Sequence, residues 1–111
     1  MARKRMFFKY EIDSSVVSIV KSIIADYDRR EKLIKYSNVT GAVLDELIKL
    51  NAIVDRALED IECGMRRDIV QDITYGRGFF KSNCCVMMEK NTYYRRRRKL
   101  VYDIAVELHL I

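Results

Sequence analysis

The chain has 111 residues, half of them apolar or aromatic, and 21 lysines and arginines against 16 acids for a net charge of +5. That length holds one domain with one modest core, and the apolar content excludes a disordered chain. Proline is absent and only four glycines are present, and apolar residues recur every three or four positions, so the expected fold class is all-α.

The first helix is expected to start at Asp13 or Ser14 and carry Val16, Ile19, Val20, Ile23, Ile24 and Tyr27 on one face. It is expected to run on through the charged stretch Asp28-Arg29-Arg30-Glu31-Lys32 to Tyr36, with Tyr36-Ser37-Asn38-Val39-Thr40-Gly41 as the turn. A second helix from about Thr40 carries Leu44, Leu47, Ile48, Val54, Leu58 and Ile61, with Asp45, Glu46, Asp55, Glu59 and Asp60 mostly outside. The simplest arrangement pairs the two antiparallel.

Gly64 is expected to break the chain before a third helix, in which Met65, Ile69, Val70 and Ile73 face inward and Arg66, Arg67, Asp68 and Asp72 outward. Tyr75-Gly76-Arg77-Gly78 is the clearest loop, because two glycines in three residues disfavour helix. Residues 79–87 read as a short helix, and Asn91 as the cap of a long basic one, Asn91-Thr92-Tyr93-Tyr94-Arg95-Arg96-Arg97-Arg98-Lys99. Val101, Ile104, Ala105, Leu108 and Ile111 give that last helix a core face, which Tyr94 extends by a turn.

Charge divides the chain into three parts. Residues 1–10 carry four bases and no acid, residues 11–62 eleven acids and seven bases, and residues 63–111 ten bases and five acids. The expected organisation, within one small domain, is a basic arm over 1–10, a helical pair over 11–63 that offers a partner or dimer surface, and a helix-turn-helix over 64–111. The acidic middle does not suit nucleic acid, whereas the last third does. At 100° per residue the arginine run sweeps across the outer face of its helix, an arrangement suited to lying between two phosphate backbones.

A helix-turn-helix places its second helix in the DNA major groove, with N-terminal residues at base edges. Thr92, Tyr93 and Arg96 are then the candidate readers, and Arg95, Arg98 and Lys99 the phosphate contacts. Tyr93 fits core packing as well as it fits a base contact. Further backbone contacts are expected from Arg3, Lys4, Arg5, Arg77, Lys81 and Lys90. The segment with Arg3, Lys4 and Arg5 reads more simply as a plain basic tail than as an arm that reaches along DNA.

Other chemistry has little footing. Cys63, Cys84 and Cys85 form neither an even set nor a C-x-x-C pair, and His109 is the only histidine, so a disulfide framework, a metal site and a nucleophilic thiol–base pair are not expected. The three cysteines read as small buried apolar residues. Gly76-Arg77-Gly78 lacks the rest of any phosphate-cradling motif. Neither an enzyme nor a cofactor is expected. No apolar stretch approaches the ~20 residues that span a bilayer, and Met6-Phe7-Phe8 is too short for a signal peptide, so no membrane and a cytoplasmic location are expected.

Asn91-Thr92-Tyr93-Tyr94-Arg95-Arg96-Arg97-Arg98-Lys99-Leu100, followed by Ile104-Ala105-Val106-Glu107-Leu108, resembles the C-terminal signature of the ArpU and RinA type phage transcriptional regulators. Those are small proteins whose C-terminal part is similar to the promoter-binding region 4 of sigma factors. The resemblance extends back through Arg67-Asp68-Ile69-Val70 and covers roughly the last 45 residues. It implies sequence-specific binding to double-stranded DNA, with the recognition role on Thr92, Tyr93, Arg95 and Arg96. RNA polymerase is an implied partner. The alternatives are a helical module that binds polymerase or another protein, and an arginine-rich helix that binds RNA. A homodimer would cover the long apolar edges of the first two helices.

Overall fold

The computed structural model describes residues 12–79 and 88–111. Among them are five helices and no strand: α1 Ser14–Ala25, α2 Tyr27–Tyr36, α3 Gly41–Glu59, α4 Cys63–Tyr75 and α5 Lys90–Glu107. None is long and apolar enough to cross a membrane. One core joins them, with Val20 and Ile24 from α1, Ile53, Val54 and Ala57 from α3, Met65, Ile69 and Ile73 from α4, and Leu100, Val101, Ile104 and Ala105 from α5.

The helix expected to run unbroken to Tyr36 is two helices. Asp26 interrupts it at φ −91°, ψ 3°. Arg30 is the physical reason: its guanidinium is buried and donates to the Ile23 carbonyl at the end of α1 and to Asn51 Oδ1 (2.6 Å) in α3. Asp26 faces it from the break, 3.6 Å away, and is itself gripped by Arg29 at 2.6 Å. The Arg29 hydrogen bond, with the Arg29 and Arg30 charges beside it, holds the Asp26 carboxyl below its usual range against desolvation. The break gives the two halves different neighbours, α1 against α4 and α5, and α2 against α3. Tyr27 at the start of α2 meets Asn51 and Asp55 late in α3, while the end of α2 leads directly into the start of α3, so these two run antiparallel. Ile19, expected inside, is exposed, as is Ile48 on α3.

The break before α4 falls at residues 60–62 rather than at Gly64, which lies in the first turn of α4. Ile61 is fully buried, and Arg66 closes the turn by donating to the carbonyls of Ile61 (2.8 Å) and Glu59 (3.3 Å). Those carbonyls lie at the C-terminal end of α3, where intrahelical donors run out. Cys63, expected to be buried, is exposed. Cys84 and Cys85 lie outside the described residues.

α5 begins at Lys90 with Glu89 at its N-cap, so Asn91 sits in the first turn and is not the cap. Its other end is a Schellman motif, with Leu110 N–H donating to Ala105 (2.9 Å) and His109 N–H to Val106 (3.0 Å). The motif places His109 at φ 58°, a left-handed conformation that costs an L-residue about 1 kcal/mol. His109→Gly is therefore expected to raise the unfolding free energy by about 0.5–1 kcal/mol in urea titration, and a decrease would contradict this helix end. Ile111, expected in the core stripe, lies beyond the motif and is exposed.

A candidate nucleic-acid interface on α5

The position of α5 is set from Asp72, one turn before the end of α4. The sequence pattern put this acid outside, yet it is 2% exposed. Its Oδ1 accepts the Gly78 N–H at 2.7 Å, and its Oδ2 accepts the Tyr93 hydroxyl at 2.8 Å. Arg97 Nε stands 3.8 Å from the same Oδ2. Gly76 ends α4 at φ 68° and Gly78 follows at φ 76°, two left-handed turns that glycine adopts without steric cost. Together they bring the loop back over the carboxylate. Phe79 N–H then donates to the Tyr94 hydroxyl at 3.2 Å. The Phe79 and Tyr93 rings pack with centroids 5.1 Å apart, and Tyr94 stands edge-on to Tyr93 at 5.2 Å. One buried carboxylate thus ties the glycine loop, the aromatic cluster and the start of α5 into a single unit.

This unit decides what the expected contact residues can reach. Tyr93 is wholly buried, with its hydroxyl on Asp72; it is a core residue and does not present itself to a base. Thr92 is half-buried and Arg95 exposed, as are Arg98, Lys90 and Asn91. Arg77 is exposed beside the same loop, with its guanidinium over the Tyr75 ring at 5.4 Å and an Nη1 bond to Gln71 at 3.2 Å. Arg3, Lys4, Arg5 and Lys81 lie outside the described residues, as do residues 80–87, where the first helix of a helix-turn-helix was expected.

The rest of the basic run is engaged by acids. Arg96 Nε donates to both carboxylate oxygens of Glu62, at 3.1 and 3.2 Å. Lys99 Nζ donates to Asp103 at 2.7 Å and to Asp60 at 3.1 Å. The Asp103 hydrogen bond, helped by Asp60 and opposed by desolvation, raises the Lys99 pKa above its ordinary value. Arg97 lies against the Tyr94 ring, 5.8 Å from its centroid. Arg96, Arg97 and Lys99 are thus held by carboxylates across the fold or along the helix, while the Arg95 and Arg98 side chains are exposed.

Pattern reading did not mark two residues that shape this candidate site. Asp72 falls at i, i+4, i+7 from Met65 through Ile69, on the buried stripe of α4, and that register was the signal available for it. Glu62 carried no signal, because its partner Arg96 is 34 residues away. No protein-family model, curated protein or solved structure matches the chain.

Proposed function

We propose that the chain is a transcriptional regulator that binds double-stranded DNA through the outer face of α5. The observation that carries this reading is the stripe Asn91, Arg95 and Arg98, exposed at i, i+4 and i+7 on a helix whose opposite face is locked into the core. Asparagine suits the N6/N7 edge of adenine and arginine the O6/N7 edge of guanine. Thr92 sits beside the stripe, and Lys90 and Arg77 lie at the same end of the helix, where phosphate contacts would fix its register. The resemblance of residues 91–108 to phage regulators supports the transcriptional role and polymerase as a partner.

The test is fluorescence anisotropy on duplexes selected from a random pool, at several salt concentrations. The four exposed cations Arg77, Lys90, Arg95 and Arg98, entering the phosphate field together, give a log–log salt slope of about −4. Arg95→Ala is expected to weaken the selected site by about 5- to 150-fold, from the ~1–3 kcal/mol of a bidentate base contact, with an unchanged melting temperature. If Arg95→Ala binds like the parent chain, α5 does not face the DNA. Preference for structured RNA in competition would favour the RNA alternative. Absence of binding to either would favour a protein partner, for which exposed Tyr36, Val43 and Ile48 at the α2–α3 end offer apolar surface.

A further inference from the structure

The α3–α4 turn bears on how α5 meets phosphate. Asp60 and Glu62 flank Ile61, whose burial turns both carboxylates outward. Arg66 fixes the backbone between them through the Glu59 and Ile61 carbonyls. α3 packs against α5, which brings Glu62 to Arg96 and Asp60 to Lys99, two cations one helical turn apart. These pairs differ in kind from Arg97–Asp72. Asp72 is buried and bonded on both oxygens, whereas the Glu62 and Asp60 side chains are 55% and 64% exposed. Water-exposed pairs of this sort are weak and can be exchanged for another anion.

We infer that Glu62 masks Arg96, and that Asp60 together with Asp103 masks Lys99, so that two of the five cations at 95–99 are withheld from the phosphates of non-specific DNA. The inference rests on the DNA reading above and adds a specificity device to it. On duplex of arbitrary sequence the pairs stay closed, and only the outer cations of α5 neutralise phosphate. The acids are an intramolecular competitor at high effective concentration, present wherever the protein goes. Phosphate contacts are indifferent to sequence, so withholding them lowers the background that every non-target site contributes.

The experiment compares the intact chain, D60N/E62Q and D45N/E46Q on a random-sequence duplex across a salt series. The last variant removes the same two charges from the exposed start of α3, about 22 Å along the helix from Asp60 at 1.5 Å per residue, well beyond the ~8 Å screening length at physiological salt. D60N/E62Q is expected to bind about two- to thirtyfold tighter than the parent, the sum of two exposed pairs. Its salt slope should be steeper by about 0.9 to 1.8, one phosphate for Arg96 and up to a second for Lys99, which keeps its Asp103 partner. D45N/E46Q should move affinity less than twofold, and circular dichroism melts should show all three chains folded. Binding by D60N/E62Q where the parent is silent also supports masking. If the parent binds and the two variants behave alike, net charge accounts for the result and masking is overturned while the DNA reading stands. If no chain binds duplex, both are overturned.

Discussion

Asp72→Ala is expected to lower the unfolding free energy by about 3 kcal/mol and to abolish the proposed DNA binding at temperatures where the chain is still folded. The change leaves the Tyr93 hydroxyl and the Gly78 N–H without their acceptor and Arg97 without its buried counter-charge. Hydrogen bonds to a charged group contribute about 1.5–3 kcal/mol each, and stranding a buried donor costs its desolvation as well. Asp72→Asn keeps one acceptor oxygen and should lose about half as much. Tyr93→Phe removes one donor and preserves the ring packing against Phe79 and Tyr94, for a loss of about 1–2 kcal/mol. The Asp72→Asn, Tyr93→Phe cycle should be non-additive by about 1 kcal/mol, since both changes break the same bond. Urea titrations of the four chains measure all of this, and a loss under about 0.5 kcal/mol for Asp72→Ala would show that α5 is not anchored there. The effect on binding follows from geometry: the carboxylate fixes both the glycine loop and the first turn of α5, so Arg95 and Asn91 lose their register when it is gone.

Arg30→Ala is expected to cost about 3–4 kcal/mol, which is large for a surface-type residue in a short charged helix. The guanidinium is 3% exposed and bonds Asn51 and the Ile23 carbonyl, with Asp26 opposite. Burial lowers its pKa, partly offset by Asp26, yet an arginine stays charged at any pH the fold meets. Its removal strands an amide oxygen and a helix-end carbonyl and leaves the volume of the stem empty. Arg30→Met refills that volume and should recover about half of the loss. Arg30→Lys should recover little, because a single ammonium cannot reproduce the two-pronged geometry. Equal stability for the alanine and parent chains would mean that the α1–α2 break is held by something else.

How far the sequence could be read depended on the distance between the residues that cooperate. The core face of α5 at Val101, Ile104 and Ala105, and the loop at Gly76 and Gly78, follow from helical period and from glycine's access to left-handed backbone, both local properties. The break at Asp26 had no such mark, since neither proline nor glycine stands there. It follows from where Arg30 finds partners, and Asn51 is 21 residues away.

The candidate site divides in the same way. The sequence by itself determined an all-helical chain with a glycine-punctuated turn and a run of five cations on one amphipathic helix, because backbone sterics and the 3.6-residue period act over a few residues. Only the tertiary structure decided which of those cations face outward. Tyr93 turned inward because a buried acid on α4 offered its hydroxyl an acceptor, and Arg96 and Lys99 turned to Glu62 and Asp60 across 34 and 39 residues. The physical reason is that the charge available to a partner is what remains after the fold has paired its own, and that pairing is set by which helices pack together.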